Sequence, residues 1–473
     1  MNDLIDLINS LDKATVREFL AFAKTKNKRH DVLNIKLFHL IKTGEYQNLD
    51  LKLYGKPNKN ALYALKKRLQ SSIIEFLAFT GFENDQKSEM TCLRMLLSAR
   101  LLLERGFYTL GYKTLQKAER LAHETDLFSV LHEVYLTFLQ YAHRFPKVSI
   151  DRIQNSFKFN KAQLDHADQI ALLFSTHKTS LAIYDIHYYR KQLARNEIRI
   201  SSALSFKNLY ELLEIFTDLA SLDGNYNSIR DEVFAIENAF SDKKVPISYS
   251  GYFFDLRFLL ALSYFRISNF NKARGFLSKV DHHIRGSKER YQNIKILQSL
   301  CLNYTGHPEK AIGNISDITN PTLYAQCVLA MFYLQQEQPQ DALRQLNKLN
   351  HRDSYYEKLY SKTLVLQKNV LLLLIYVDLD NINLIESQIT SLRKKSNQVK
   401  ELKEQRISTF LKLVTDYHNN RKVINSTLFK KRIEQISDNE FPEDVFAISF
   451  YAWLKSKVLK KPLYEITLEL VST

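Results

Sequence analysis

Glycine and proline are scarce in this chain, which has only 11 Gly and 8 Pro among 473 residues. Average usage would supply several times as many of both. Strands need turns, and turns recruit Gly and Pro because these residues supply special backbone conformations. A chain this poor in both predicts helices joined by short polar connections. Since the apolar fraction of 45% is that of a folded protein, we expect an all-α fold.

From about residue 90, large apolar, turn and small residues recur at one fixed spacing. The turn position is held by Gly106, Ser268, Gly306 and Glu337, with weaker copies at Gly224 and Asp380. Five residues after the four stronger turn positions comes a small residue: Gly111, Ala273, Ala311 and Ala342. A second small residue precedes each of these by twelve positions: Ala99, Ala261, Ser299 and Ala330. Small residues in this register allow two helices of a hairpin to cross closely.

The segments SYFRISNFNKARGFLSKV (263–280) and ERGFYTLGYKTLQKA (104–118) resemble tetratricopeptide repeats. The anchors Ala273, Ala311 and Ala342 are 38 and 31 residues apart, which brackets the period of about 34 in that family. The resemblance implies an α-solenoid of degenerate tetratricopeptide-like hairpins with helical N- and C-terminal caps. It also implies that a protein or peptide binds in a groove formed by the first helix of each hairpin, without a cofactor.

These patterns predict three parts. Residues 1–82 form an N-terminal helical domain, residues 83–392 the repeat array, and residues 393–473 a basic C-terminal helical cap. Within the array, residues 119–205 keep helical periodicity but lack the repeat spacing, so repeats there are degenerate or absent. The polar segment 241–251 is predicted to be a loop between two repeats.

The net charge is +16, and three basic sets could contact an anionic partner. One set follows Asn60 on a predicted helix, in a pair of helices that resembles a helix-turn-helix unit; the second interleaves tyrosines with cations, as surfaces that stack on bases do. The third lies in the C-terminal part. The alternative for each set is an ordinary helix face in water. The sets are Lys66, Lys67 and Arg68; Tyr188, Tyr189, Arg190 and Lys191; and Arg393, Lys394, Lys395, Lys430, Lys431 and Arg432.

No signature of a catalytic or cofactor site is found in the sequence. It has no GxGxxG, Walker-type, HExxH or GxSxG motif and no calcium-binding loop. Cys92, Cys301 and Cys327 are far apart and lie among apolar residues, which predicts buried thiols and neither a disulfide framework nor a zinc site. We therefore expect no enzyme activity, metal or cofactor. An acidic start and a longest apolar run of only Val370 to Val377 favour a cytoplasmic protein without membrane insertion.

Two functional hypotheses follow. The first is a non-enzymatic scaffold or adaptor that binds a partner protein or peptide in the groove, with Arg257, Gln298, Asn303 and Tyr324 as groove residues. The second is a nucleic-acid-associated regulator in which residues 1–82 contact DNA or RNA and the array senses a ligand. This layout resembles bacterial peptide-sensing regulators that join a helix-turn-helix to tetratricopeptide repeats. Burial of Lys66, Lys67 and Arg68 would exclude the second hypothesis.

Overall fold

A computed structural model confirms the all-α fold: every regular element in the part of the chain that the structure describes is helical. The described residues are 2–26, 32–84, 88–145, 149–180, 185–243, 251–278, 288–396, 403–437 and 445–472. They form two compact units, residues 1–161 and residues 162–473. Among the described residues, no helix combines the length and the apolar character that crossing a bilayer requires.

The helices are numbered in chain order. The first nine are α1 (Asn2–Ser10), α2 (Lys13–Lys26), α3 (Val32–Lys42), α4 (Leu49–Tyr54), α5 (Lys59–Asn84), α6 (Ser88–Glu104), α7 (Tyr108–Glu124), α8 (Phe128–Tyr141) and α9 (Ile150–Thr179). The next nine are α10 (Ile186–Arg195), α11 (Phe206–Asp223), α12 (Arg230–Asp242), α13 (Gly251–Arg266), α14 (Phe270–Leu277), α15 (Lys288–Tyr304), α16 (Pro308–Ser316), α17 (Leu323–Gln335) and α18 (Pro339–Leu346). The last seven are α19 (Asp353–Leu359), α20 (Lys362–Asp378), α21 (Ile382–Ser396), α22 (Lys403–Asn419), α23 (Thr427–Ser437), α24 (Val445–Leu459) and α25 (Leu463–Ser472).

The first unit begins with a small aromatic core. The ring of Phe19 on α2 lies 5.0 Å from that of Phe38 on α3 and 5.4 Å from that of Phe76 on α5. Lys42 donates from Nζ to the carbonyl oxygens of Ile8 and Leu11 at 2.9 and 2.8 Å. An ammonium group at this position satisfies carbonyls that the end of α1 leaves without helical partners.

The second unit stacks helical hairpins in chain order. We call α11, α13, α15, α17 and α20 the A helices, and α12, α14, α16, α18 and α21 the B helices. Each A helix packs against its own B helix and against the next A helix, and each B helix from α12 to α18 also packs against the next A helix. Because every hairpin contacts mainly its neighbours, one continuous apolar core runs along the unit.

The turn between the paired helices has the same backbone conformation at the position that the sequence identified. The residue there has a positive φ in each case: Gly106 85°, Gly224 67°, Ser268 60°, Gly306 83°, Glu337 57° and Asp380 51°. The amide of the next residue donates to the carbonyl five positions before it, as from Asn269 to Tyr264 at 2.8 Å and from Gln338 to Tyr333 at 2.9 Å. This bond satisfies a carbonyl at the end of the first helix and reverses the chain.

The paired small residues lie where the two helices of a hairpin cross. Ala99, Ala261, Ser299 and Ala330 on the first helices are fully buried, as are Ala273, Ala311 and Ala342 on the second helices. At Gly111, an added Cβ atom would lie 2.6 Å from a methyl carbon of Leu103. The close crossing inferred from the spacing is therefore present in these hairpins.

Between residues 119 and 205 the spacing is lost, although the turn is not. Asp126 and Glu197 also have positive φ values, and the residue after each donates to the carbonyl five positions before it. The helices around them do not match the repeat, because α9 has 30 residues and α10 only 10. The boundary between the two units lies inside α9. Most of the predicted loop 241–251 lies outside the described residues, between the end of α12 and the start of α13.

Candidate binding surface on the A helices

The C-terminal helices α24 and α25 lie on the A helices of the same unit. Helix α24 packs against α17, and α25 packs against α15 and α17. Helix α24 is apolar on all sides, and Phe446, Ala452, Trp453 and Leu454 are at most 1% exposed. An apolar helix of this kind belongs to the core. This stretch of the A-helix face is therefore filled by the chain itself.

A buried polar network joins the C-terminal helices to α15 and α17. Asn303 donates from Nδ2 to Oε1 of Gln335 at 2.8 Å, and Gln335 donates from Nε2 to Oγ of Ser449 at 3.2 Å. Tyr464 donates its hydroxyl to the backbone carbonyl of Asn303 at 2.6 Å. Since a buried polar group without a partner costs free energy, these bonds favour one placement of α24 and α25 on the array.

A second connection joins α24 to the end of α20. Trp453 donates its indole N–H to Oδ2 of Asp378 at 2.9 Å, while Lys457 forms an ion pair with Oδ1 of the same carboxylate at 2.8 Å. The ring of Tyr417 lies edge-on to Trp453, with centroids 5.7 Å apart. One carboxylate therefore holds two side chains from successive turns of α24.

The four residues predicted to line the groove all make contacts within the chain. Arg257 donates from Nε to the carbonyl of Phe276 on the neighbouring B helix at 2.9 Å, and Gln298 donates to the carbonyl of Leu277 at 3.4 Å. Asn303 is fully buried beneath the C-terminal helices. Tyr324 packs edge-on against Phe446, with ring centroids 5.9 Å apart. All four residues lie on A helices, and the spacing of the repeat does not determine how each helix is rotated about its axis.

A polar and aromatic network runs from the end of α9 across α11 and α13 to the first turn of α15. Tyr210 on α11 and Tyr252 on α13 have ring centroids 5.8 Å apart. Lys178, near the end of α9, forms an ion pair with Glu214 on α11 at 2.6 Å, and Arg290 on α15 forms one with Asp255 on α13 at 3.0 Å. We call Lys178, Tyr210, Glu214, Tyr252, Asp255 and Arg290 the open section of the A-helix face.

The side chains of the open section are partly accessible. Tyr252 is 40% exposed and the side chain of Arg290 is 57% exposed, whereas Tyr210 and Asp255 are half-buried. Burial raises the pKa of Asp255, and the neighbouring Arg290 opposes that shift. Burial lowers the pKa of Lys178, but hydrogen bonds to Glu214 and Asp218 outweigh it, so the net shift is upward and the ammonium form is favoured. The result is a fixed surface of charges and aromatic rings.

Sequence reasoning missed the open section. Its members belong to four helices, and their positions relative to the repeat turns differ from one helix to the next. The fixed spacing of the repeats therefore does not identify these residues. Charge patterning along single helices gives none either, because each ion pair named here joins different helices.

The first basic set lies on α5. Lys67 and Arg68 are exposed, Lys66 is half-buried, and the neighbouring Tyr63 is 72% exposed. Neither Lys67 nor Arg68 has an ion-pair partner among the described residues. The condition that would exclude the nucleic-acid hypothesis, burial of this set, is thus not met.

The second set divides between core and surface. Tyr189 is buried against His177, with ring centroids 5.6 Å apart, and Tyr188 is half-buried. Arg190 forms an ion pair with Glu232 at 2.6 Å, and only Lys191 is left fully exposed. Since the rings pack edge-on against protein neighbours, this arrangement favours a packing role for the tyrosines over base stacking.

The third set is exposed where it is described. Arg393 and Lys394 lie on the surface of α21, and Lys430, Lys431 and Arg432 on that of α23. Arg432 lies 3.9 Å from Asp416, a distance at which an exposed pair contributes little. The side chain of Lys395 lies outside the described residues.

The three cysteines are buried core residues. Burial raises the pKa of the Cys301 and Cys327 thiols to about 12 and that of Cys92 to about 11, which holds all three in the unreactive thiol form. In the described part of the chain, no group of three or more His, Cys, Asp or Glu side chains is placed to hold a metal ion.

No protein-family model matches the chain, and no curated protein is similar to it in sequence. The functional assignment therefore depends on the internal geometry of the repeats and on the surfaces that they present.

Proposed function

We propose that this protein is a non-enzymatic scaffold, a tetratricopeptide-like solenoid that binds a protein partner through the open section of its A-helix face. The repeated hairpin turn and the neighbour-to-neighbour packing support the solenoid. The observation that carries the binding proposal is the contrast along the A-helix face: α24 and α25 pack against α17 and against α15 at Asn303, whereas the network from Lys178 to Arg290 remains partly accessible.

The chemistry of the open section matches that of protein interfaces. Tyrosine and arginine are enriched among the residues that dominate binding energy, because they offer a large contact area together with hydrogen bonds. Here Tyr210, Tyr252 and Arg290 lie beside two carboxylates, so the surface can contact apolar groups and both signs of charge. Fixed ion pairs also lower the entropy lost when a partner binds.

Site-specific photocrosslinking tests the proposal. A photoreactive phenylalanine analogue at Tyr252 should crosslink one discrete protein partner in native lysate, before and after nuclease treatment. Tyr355 on α19 is the matched control, because it is also an exposed tyrosine and α19 packs against α20, outside the open section. Equal crosslinking from both positions would contradict a specific surface.

Substitutions then test the surface itself. The double variant Tyr252→Ala/Arg290→Glu should lose the partner, whereas Tyr355→Ala/Arg344→Glu should retain it. The two variants change charge and ring content equally, and both arginines form ion pairs in the parent, Arg344 with Asp341 at 2.9 Å. Retention of the partner by the first variant would place binding elsewhere.

A nucleic-acid-associated regulator is the second candidate, favoured by the exposed Tyr63, Lys67 and Arg68 on α5. An exposed ring beside two cations can stack on a base while the cations contact phosphate. In this case Lys67→Glu/Arg68→Glu should abolish binding of labelled DNA or RNA in fluorescence anisotropy. The control Lys113→Glu/Lys117→Glu changes net charge equally on the exposed face of α7 and should preserve binding.

A further inference from the structure

The turns of successive hairpins border a cleft that the proposed partner surface does not include. It has a volume of about 560 Å³ and is lined by the turns that follow α13 and α15, by the first residue of α12 and by the last residues of α25. Small-molecule sites commonly have volumes of this size. The cleft belongs entirely to the second unit.

Cations and neutral hydrogen-bond donors line this cleft. Arg230 and Arg274 contribute guanidinium groups, His307 an imidazole, and Asn269 and Asn271 amides, whereas the Thr305 hydroxyl donates to the Cys301 carbonyl at 2.8 Å. Among the described residues that line it, none is Asp or Glu. The lining that the structure describes is therefore positively charged.

Arg230 and Arg274 differ in ion pairing from several other arginines of this unit. Arg190, Arg290 and Arg344 of the same unit each form an ion pair of 3.0 Å or less. In the described part of the chain, Arg230 and Arg274 have no such partner. Two nearby carboxylates are engaged elsewhere: Glu232 pairs with Arg190, and Glu237 accepts hydrogen bonds from Lys272 and Tyr264. Asp231 and Glu309, in the first turns of α12 and α16, are exposed and do not line the cleft.

The backbone adds to the positive potential. Helices α12, α14 and α16 all begin at the cleft, and a helix N-terminus carries partial positive charge. The rings of Phe270 and Tyr304 lie 5.3 Å apart in the lining and form an apolar part of its surface. A ligand with a compact anionic group and a small apolar body would match both.

We propose that this cleft binds the phosphate group of a small phosphorylated molecule. Two guanidinium groups can each form paired hydrogen bonds to phosphate oxygens, and arginine suits this planar, bidentate recognition better than lysine does. The aromatic pair would contact the organic part of the ligand. Nothing in this site overlaps the open section of the A-helix face, so the two can be occupied independently.

Titration calorimetry of the full chain tests this site, with inorganic phosphate and phenyl phosphate as probes and with chloride at equal ionic strength as the blank. Saturable binding of both phosphates is expected, with phenyl phosphate tighter because of Phe270 and Tyr304. Equal affinities for inorganic phosphate and phenyl phosphate would show that the site recognises the phosphate group alone. That result would still support a phosphate site in the cleft.

Substitution at the arginines decides the outcome. Arg230→Gln/Arg274→Gln should weaken binding about tenfold or more, the loss expected from removing charged hydrogen bonds. The control Arg344→Gln/Arg432→Gln removes the same charge from exposed sites outside the cleft and should bind as the parent does. Circular dichroism verifies that both variants are folded. Unchanged affinity in the first variant, or no saturable heat in the parent, would overturn the proposal.

Discussion

Trp453 and Asp378 are 75 residues apart in the chain, and the indole N–H donates to the carboxylate at 2.9 Å. This bond joins α24 to the last turn of α20, and Lys457 pairs with the second oxygen of the same carboxylate. A long-range contact of this kind joins the C-terminal helices to the stacked hairpins. It explains why the A helices near α17 present a filled surface and not a groove.

Removing the carboxylate should loosen this connection. Asp378→Ala leaves the indole without an acceptor and Lys457 without its ion-pair partner, and we expect a loss of about 1–3 kcal/mol in the free energy of unfolding. Trp453 is the only tryptophan, so its fluorescence during urea unfolding reports on α24 directly. The control is Asp380→Ala, because Asp380 is 81% exposed and pairs only at the surface with Arg421; its effect should stay below about 1 kcal/mol.

Replacing either of two helical glycines with alanine should change stability, in one case downward and in the other upward. At Gly111 a Cβ atom would meet Leu103 at 2.6 Å, so Gly111→Ala should destabilise the α6–α7 hairpin by about 1–3 kcal/mol through overpacking. At Gly313 on α16 no heavy atom lies within 4 Å of the added Cβ, and Gly313→Ala should stabilise its helix by about 0.5–1 kcal/mol. Hydrogen exchange of the two hairpins measures each effect locally. Stabilisation by Gly111→Ala would contradict the close crossing.

Substitutions at the turn position between paired helices should also change stability in opposite directions. Gly306 and Glu337 occupy the same position of successive hairpins, with φ values of 83° and 57°. A side chain in this left-handed region costs about 1–2 kcal/mol, so Gly306→Ala should lower stability by roughly that amount. Glu337→Gly removes the same strain and should leave stability unchanged or raise it by up to about 1 kcal/mol. Thermal unfolding of both variants checks the sign, and a common sign would show that the two turns are not equivalent.

Glu211 on α11 should make stability depend on pH. Burial raises the pKa of its carboxyl group above the ordinary value of 4.5, against the opposing charge of Lys207 at 3.7 Å. The folded protein therefore holds this proton more tightly than the unfolded chain does. Its contribution to stability is complete below pH 4.5 and is lost as pH rises through the folded pKa.

The isosteric variant Glu211→Gln stays neutral at every pH. It should therefore be more stable than the parent at pH 7, and the difference should shrink towards zero as pH falls below 4.5. Urea unfolding at several pH values measures this difference. The exposed Glu434 on α23 is the control: Glu434→Gln should show no comparable trend. A Glu211→Gln variant that is less stable at pH 7 would show that the pair with Lys207 outweighs the burial.

The sequence by itself determined the local structure. Scarce glycine and proline predicted an all-helical chain, and the fixed spacing located six of the hairpin turns, down to the residue with positive φ at Ser268 and Glu337. It also identified the small residues, such as Ala273, where paired helices cross. Such features depend on residues close together in the chain, so backbone sterics and helical periodicity are enough to reveal them.

Only the tertiary structure decided which surfaces are accessible. Nothing near Asn303 in the sequence indicates that Tyr464 donates a hydrogen bond to its backbone carbonyl. Nor does it indicate that Gln335, which accepts from Asn303, donates in turn to Ser449. The open section likewise unites Lys178, Glu214, Asp255 and Arg290 from four helices. Such relationships depend on how each helix is rotated and on where distant segments dock. Both are set by packing across the whole core, which no local pattern encodes.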